Sequence, residues 1–358
     1  IRKESNSFHY PGIWRDRDDR DINNEIKKGS PFTVRLKTPQ YGKTSFEDLI
    51  YGNISVQNNE IDDFIIARSD GSPVYNLTNV VDDSLMEITH VIRGEDHVSN
   101  TPKQILIYHA LGFKVPIFAH LPMILGEDKK RLSKRHGAAG VNEYESMGYQ
   151  PDALLNYLAL LGWNPGTEEE IFDLGSLVKN FDIRKVQKKS ATYDQKKFNW
   201  ISSQHLMKED SDKVLNRLAS IDPRWSDSRS QDNLIKIIDL MKPRSNSLTD
   251  LIDQSRYFFS SPKEFDSAQL QKIWKQNTTE IIIELKSVLG VINSWVAIEL
   301  ESNFKSFMDQ KGFGIGKVMK PMRFLICGSL QGPSLFDLME LIGKEESLKR
   351  INYAINEF

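Results

Sequence analysis

The sequence contains almost no cysteine, because Cys327 is the only one among 358 residues. A disulfide needs two thiols and a cysteine-based zinc site needs several, so both are excluded within this chain. We predict no protein-bound metal. A single thiol is typical of proteins from a reducing compartment, and we therefore expect a cytoplasmic protein or one from an organelle matrix.

Long apolar runs and a large net charge are also missing. No stretch approaches the roughly 18 apolar residues of a membrane span, so we predict no membrane partner. The 47 Lys and Arg residues nearly balance the 49 Asp and Glu residues, which gives a formal net charge of −2. A nucleic-acid partner therefore cannot be inferred from total charge and would have to bind a local basic patch.

What is present is enough apolar sequence for real cores, since 39% of the residues are hydrophobic. A chain of this length suggests two to four domains. Buried strands are predicted around 88–92 and 116–125, with a helix between them that begins at Thr101-Pro102 and stops at Gly112. This βαβ pattern indicates a parallel sheet. A further strand is predicted at 32–37, and helices are predicted at 229–241, 266–289, 292–310, 334–342 and 345–357.

The most basic short segment is residues 129–137, KKRLSKRHG. It follows the predicted strand at 116–125 and so leaves the C-terminal edge of a parallel sheet, where α/β folds bind ligands. Lys and Arg bind phosphate oxygens and can stabilise charge that develops in a transition state. On charge alone, a solvated basic loop or a cluster like a nuclear-localisation signal explains the segment better.

Three polar residues lie close to these predicted strands. Arg93 follows the strand at 88–92 and could pair with a substrate carboxylate or with a neighbouring acidic residue. Tyr75 and Asn79 are four residues apart, so on a helix they share one face and could contact one ligand, or simply water. Residues 182–200 carry six Lys or Arg with interleaved aromatic residues, which fits either a nucleic-acid backbone or a solvated helix face.

Five longer segments occur in the order DFIIARSDGSPVYNLTNVVDD, ITHVIRGEDHVSNTPKQILIYHALG, HLPMILGEDKKRLSKRHGA, YLALLGWNPG and IGKVMKPMRFLICGSLQGPSLFDLMELIGKEESLKRI. Together they resemble bacterial-type glutamyl-tRNA synthetase, a class I aminoacyl-tRNA synthetase. The resemblance implies that L-glutamate and ATP, the latter with Mg²⁺, form glutamyl-adenylate and pyrophosphate. The glutamyl group then passes to the 3′ end of tRNA-Glu. The resemblance also implies a monomer.

The resemblance assigns roles to residues of the ATP site. The segment RLSKR (131–135) resembles the family's KMSKS loop, so Arg131, Ser133 and Lys134 are implied to be catalytic and Lys134 to stabilise the leaving phosphates. The family usually opens this motif with Lys, whereas this chain has Arg131. Met123 and Ile124 match backbone positions that hold the adenine.

The glutamate site is implied in the same way. Arg93 matches the arginine that pairs with the substrate carboxylate, and Tyr75 and Asn79 match side chains that complete the amino-acid pocket. The implied fold class is multidomain α/β plus all-α, with a partial Rossmann-type parallel sheet. The implied domains are an acceptor-end-binding insertion (1–76), the C-terminal half of the catalytic domain (77–130), the KMSKS loop with a stem-contact domain (131–210) and a helical anticodon-binding domain (211–358).

The family's other signature, HIGH, has no match here, because the sequence contains no His-x-Gly-His. We therefore expect an N-terminally truncated enzyme that is inactive alone, with an unpartnered central strand that exposes apolar surface. The helical pattern of the C-terminal part argues against two alternatives: the glutamyl-queuosine-type paralogue, which lacks the helical anticodon-binding domain, and glutaminyl-tRNA synthetase, which has C-terminal β-barrels. A non-catalytic tRNA-binding or scaffold protein is a third alternative, which needs no complete active site.

Overall fold

The computed structural model describes residues 10–133 and 140–358. These residues divide into two units, the first made of 10–133 and 156–194 and the second of 140–155 and 195–358. Within the described ranges, no helix combines the length and the apolar character that crossing a membrane would require.

All described strands belong to the first unit, and the second unit is helical. The strands are β1 (Val34–Arg35), β2 (Lys43–Asp48), β3 (Gly52–Gln57), β4 (Ile65–Ala67), β5 (His90–Gly94) and β6 (Ile117–Leu121). The helices are α1 (Asp19–Lys27), α2 (Tyr75–Leu85), α3 (Thr101–Leu111), α4 (Val141–Ser146), α5 (Pro151–Leu160), α6 (Leu174–Asn180), α7 (Gln195–Lys208), α8 (Ser211–Ile221), α9 (Arg224–Asp227), α10 (Gln231–Met241), α11 (Leu248–Gln254), α12 (Arg256–Phe259), α13 (Ser267–Ile273), α14 (Thr278–Gly290), α15 (Ala297–Lys311), α16 (Ile315–Cys327), α17 (Leu335–Ile342) and α18 (Lys344–Glu357). Short 3₁₀ turns occur at Asn58–Glu60, Glu95–Asn100, Ile183–Lys185 and Lys242–Arg244.

The predicted βαβ unit is confirmed as β5–α3–β6, with β5 and β6 parallel and Arg93 directly opposite His120. The sheet has the order β3-β2-β6-β5. The β2–β3 hairpin is antiparallel and joins β6 in parallel at the single pair Asp48 and Phe118. The sheet is therefore mixed, and the carboxyl ends of β2, β6 and β5 lie at one edge, which is where the polar residues described below meet.

Helix α3 connects the parallel strands β5 and β6 in sequence and is buried along most of its length. Pro102 stands in its first turn, where the missing N–H costs no hydrogen bond. Gly112 ends it with a φ of 68°, a left-handed conformation that glycine adopts without strain. Its apolar residues pack with those of β2, β6 and α2 in a cluster of Phe46, Val80, Ile105, Ile107, Tyr108 and Phe118.

Strand β5 forms one edge of this sheet in the described part of the chain. Its central residue Ile92 is 54% exposed, and the nearby Leu85 and Met86 are 74% and 71% exposed. The expected exposure of apolar surface beside this strand is therefore present.

The second unit packs its helices around one large apolar core, which includes Trp225, Phe258, Phe304 and Met322. Two sequence predictions differ from the structure here. The helix predicted at 266–289 is two helices, α13 and α14, because Trp274 leaves the helical conformation after α13 (φ −90°, ψ 109°). Helix α16 was not among the predicted helices, and it contains Pro321 without ending there.

The predicted strand at 32–37 is also shorter than expected. Only Val34 and Arg35 pair with β4, and the register between these two strands is irregular. A two-residue strand without a second neighbour gains few hydrogen bonds, so the alternating pattern of this segment overstates its length.

Candidate active site

Arg93 lies at the carboxyl end of β5, and several side chains hold its guanidinium. Its Nε donates to Nε2 of His120 at 3.2 Å. Its Nη2 donates to Oγ1 of Thr101 and to Oε1 of Gln104, both at 2.8 Å. The ring of Phe118 lies 5.8 Å from the guanidinium carbon. These contacts fix the plane of the group.

The structure brings Tyr75 and Asn79 to the same cluster, as their spacing on α2 predicts. Oδ1 of Asn79 accepts a hydrogen bond of 2.7 Å from Nε2 of Gln104, whose Oε1 accepts from Arg93. The hydroxyl of Tyr75 lies 3.4 Å from Nδ1 of His97, and Tyr75 is 49% exposed. All three residues predicted for the glutamate pocket therefore lie in one hydrogen-bonded group.

The electrostatics of Arg93 fit a positive group held partly out of water. Burial lowers the pKa of Arg93, while Tyr75 and the Asp83 carboxylate act in the opposite direction. Burial also raises the pKa of Asp83, which Arg93 opposes. Since an arginine remains protonated in proteins, the site keeps a cation of fixed orientation.

The segment after β6 carries Met123 and Ile124. The backbone N–H of Met123 donates to Oε1 of Glu95 at 2.9 Å. The carbonyl of Ile124 accepts from the N–H of Leu132 at 2.9 Å. Within the described residues, no hydrogen bond occupies the carbonyl of Met123 or the N–H of Ile124. The peptide group between Met123 and Ile124 therefore keeps one acceptor and one donor, which point in opposite directions because the peptide is trans.

A tight turn joins this segment to the start of the basic loop. The N–H of Gly126 donates to the carbonyl of Lys130 at 2.8 Å, and Leu125 bridges Arg131 in antiparallel fashion. Lys129 adopts a left-handed φ of 62° in this turn. Nη1 of Arg131 lies 3.5 Å from Oδ2 of Asp96, and both side chains are exposed. The turn thus places the two segments predicted to bind ATP side by side. Ser133 is described, whereas Lys134 lies outside the described residues.

Comparison with known proteins agrees with this geometry. Residues 2–200 match the family described as tRNA synthetases class I (E and Q), catalytic domain, and residues 212–355 match the anticodon binding domain. Glutamate–tRNA ligase 1 of Caldanaerobacter subterraneus subsp. tengcongensis is 38% identical over 357 residues, which are 99% of this chain and 74% of that protein. The glutamate–tRNA ligase of Geotalea uraniireducens is 40% identical over 328 residues, or 91% of this chain and 70% of that protein.

This chain belongs to the glutamate–tRNA ligase family. A crystal structure of a glutamate–tRNA ligase from Elizabethkingia meningosepticum, solved in complex with its amino acid, superimposes with a TM-score of 0.85 at 32% identity, covering 99% of this chain and 75% of that one. The expected fold class, α/β followed by all-α, is thereby confirmed, and so is the expected function of the family, the ligation of glutamate to tRNA by an ATP-dependent class I synthetase. The expectation that this chain is inactive alone stays a prediction.

The anticodon-binding part of this ligase contains a cleft of about 1050 Å³. Arg244, Arg256 and Lys263 contribute positive charge to its lining, and Tyr257 contributes an aromatic ring. Gln331 and Gly332 also line this cleft. Sequence reasoning assigned this region to the anticodon-binding domain without naming these residues, because they come from four separate helices and loops.

Sequence reasoning also missed four residues of the Arg93 cluster: Asp48, Thr101, Gln104 and His120. All four are buried. A signal was available for one of them, because His120 interrupts the apolar run of β6. A buried polar side chain needs a partner, so such an interruption marks a polar contact without saying with what. Among the described residues, no group of three or more His, Cys, Asp or Glu side chains could hold a metal ion.

Proposed function

We propose that Arg93 binds a carboxylate of L-glutamate in this ligase, with Tyr75 and Asn79 completing the pocket. One observation carries the proposal: His120, Thr101 and Gln104 hold Nε and Nη2 of the guanidinium, and Tyr75, which is proposed to complete the pocket, also interacts with it. A guanidinium whose plane is already fixed can pair with a carboxylate at a smaller loss of side-chain freedom.

ATP is proposed to bind along the segment after β6. The backbone of Met123 and Ile124 is proposed to hold the adenine. Arg131, Ser133 and Lys134 then contact the phosphates, and Mg²⁺ enters with ATP as part of the substrate complex. The glutamate carboxylate attacks the α-phosphorus, the bond to pyrophosphate breaks, and the positive charges of the loop stabilise the leaving phosphates. In the second step, a hydroxyl at the 3′ end of the tRNA attacks the acyl carbon and releases AMP.

For the tRNA, we propose tRNA-Glu bound by a monomer in the cytoplasm or an organelle matrix. The cleft suits the bases and phosphates of an anticodon, because Arg244 and Lys263 contribute positive charge and Tyr257 an aromatic face, whereas Arg256 is paired with Asp253 in the same lining. The division into an acceptor-end insertion (1–76), half of the catalytic domain (77–130), a stem-contact region (131–210) and an anticodon domain (211–358) remains part of this proposal.

Glutamate binding to the purified chain tests the role of Arg93. Equilibrium dialysis with labelled L-glutamate compares the parent chain with Arg93→Ala and Arg93→Lys, and exposed Arg68→Ala serves as the matched control. We expect binding to weaken about a hundredfold in Arg93→Ala, and nearly as much in Arg93→Lys, because an ammonium is a point charge without the planar, forked donors that bond His120, Thr101 and Gln104 at the same time. Unchanged binding in Arg93→Ala would remove Arg93 from the pocket.

Two further assays test the activity of the chain. ATP–pyrophosphate exchange that depends on glutamate and tRNA reports on activation, and tRNA-Glu binding over a salt series reports on phosphate contacts. Binding that weakens with salt, without exchange, would agree with the expectation that this chain is inactive alone. Robust exchange would contradict that expectation.

A further inference from the structure

The strand ends beside Arg93 carry a buried polar pair that the proposed reaction does not use. His120 and Asp48 are 0% and 1% exposed, and Nδ1 of His120 lies 2.6 Å from Oδ2 of Asp48. The two residues are 72 positions apart in the sequence and come from neighbouring strands. Burying a carboxylate and an imidazole is costly unless every polar atom finds a partner.

The partners of Asp48 determine the direction of these hydrogen bonds. Its carboxylate accepts from the backbone N–H groups of Ile50 and Tyr51, both at 3.0 Å, and from that of His120 at 3.1 Å. Backbone N–H groups only donate, so Asp48 acts as an acceptor throughout, and Nδ1 of His120 must carry a proton toward it. Burial lowers the pKa of His120, although Asp48 opposes this, so a neutral ring is favoured.

A neutral ring protonated on Nδ1 has a lone pair on Nε2. That atom lies 3.2 Å from Nε of Arg93, which can only donate. Oγ1 of Thr101 lies 3.1 Å from the same Nε2 and 2.8 Å from Nη2 of Arg93. The contacts therefore form one directed series, in which Arg93 donates to His120 and His120 donates to Asp48.

We propose that His120 and Asp48 are positioning residues for glutamate, because they hold the Arg93 guanidinium in its binding orientation before the substrate arrives. The inference rests on the proposed role of Arg93 and extends it to a pair of residues that cannot touch the substrate. An unrestrained arginine side chain samples many rotamers, so fixing its Nε lowers the cost of binding a carboxylate.

Two substitutions at one position separate this role from simple packing. In His120→Asn, the amide nitrogen replaces Nδ1 and can still donate to Asp48, but nothing reaches Nε of Arg93. In His120→Gln, the amide oxygen can replace Nε2 and accept from Arg93, while Asp48 loses a donor. A positioning role predicts that Gln preserves glutamate affinity better than Asn. A purely structural role predicts the reverse order.

The experiment measures glutamate affinity by equilibrium dialysis and local stability by hydrogen exchange of residues 43–57 for the same proteins. We expect His120→Asn to bind glutamate about tenfold more weakly than the parent and His120→Gln to stay within about threefold. Hydrogen exchange of the hairpin should be affected more by His120→Gln. The control is Thr44→Val on β2, the strand that carries Asp48. It removes a buried hydrogen bond from Thr44 to Asn58 without touching Arg93, and the glutamate affinity should not change.

The outcomes also distinguish this inference from the proposed function. If the parent chain binds no glutamate, or if Arg93→Ala binds it normally, the proposed function fails and the inference fails with it. If Arg93→Ala abolishes binding while both His120 variants bind like the parent, Arg93 keeps its role and the inference is wrong. Equal affinity losses in the Asn and Gln variants, or a greater loss in Gln, would also overturn it.

Discussion

Glu95 accepts a hydrogen bond of 2.9 Å from the backbone N–H of Met123, and the hydroxyl of Tyr51 donates to the other oxygen of the same carboxylate. Burial and this carboxylate raise the pKa of Tyr51 above its ordinary value, so the hydroxyl stays protonated and remains a donor. Glu95 follows Arg93 by two residues. One short segment therefore carries both the proposed glutamate ligand and the group that holds the proposed adenine segment in place.

Removal of the Glu95 carboxylate should loosen the backbone at Met123. In Glu95→Ala, the amide of Met123 loses its acceptor, which corresponds to about 1.5–3 kcal/mol for a hydrogen bond to a charged group. We expect exchange of this amide to accelerate about tenfold or more. Glu95→Gln is the matched control, because its amide oxygen can accept from Met123 and its nitrogen can donate to Tyr51. Hydrogen exchange measured by NMR would contradict this explanation if the Met123 amide were equally protected in the Ala variant and the parent.

Asp63 should contribute stability to the first unit that disappears in acid. Its carboxylate accepts from Arg15 and from the N–H and hydroxyl of Thr38, both at 2.9 Å. Burial opposes ionisation, but these donors prevail and the pKa of Asp63 is lowered. Since the folded pKa lies below the unfolded one, the stabilisation is complete above about pH 4 and is lost as the pH falls through the folded pKa.

Asp63→Asn should therefore cost about 2 kcal/mol near pH 7 and progressively less at lower pH. The measurement is hydrogen exchange of residues 32–38 and 61–67 between pH 7 and pH 3, corrected for the intrinsic rate. Asp16→Asn is the control, because Asp16 pairs with Lys37 at the surface and is 77% exposed. A cost for Asp63→Asn that does not depend on pH would show that the ionised carboxylate is not responsible.

Gly148 should not tolerate a side chain. It has a φ of +74°, and an added Cβ would lie 2.7 Å from the backbone nitrogen of Thr249. The carbonyl of Gly148 accepts from the N–H of Leu248 at 3.0 Å, so the two segments cannot separate without losing that bond. Gly148→Ala combines left-handed strain with a backbone clash, and we expect a loss of about 3 kcal/mol in the second unit.

The chain offers a matched comparison in the same unit. Gly312 ends α15 with a φ of +64°, and an added Cβ would meet nothing within 4 Å. Gly312→Ala should therefore cost only the conformational strain, about 1 kcal/mol. Urea unfolding followed by the helical circular dichroism signal compares the two variants. Equal losses at the two positions would mean that the contact with Thr249 relaxes without cost.

The sequence by itself determined the elements that carry the site and the residues that point to its ligands. Hydrophobic period and the Pro102 and Gly112 signals define β5, α3 and β6, because these depend on local geometry. The spacing of Tyr75 and Asn79 places them on one helix face for the same reason. Predicted roles for Met123, Ile124, Arg131, Ser133 and Lys134 came from the resemblance alone and stay predictions.

Only the tertiary structure decided which buried polar groups meet. Asp48 and His120 become neighbours because the β2–β3 hairpin pairs with β6 over a single residue, a contact between positions 72 apart that no local pattern encodes. Gln104 reaches both Asn79 and Arg93 because α3 packs between α2 and the sheet. Periodicity assigns a residue to a face, but the partner of a buried donor depends on which other face packs against it, and that is determined only when the chain folds.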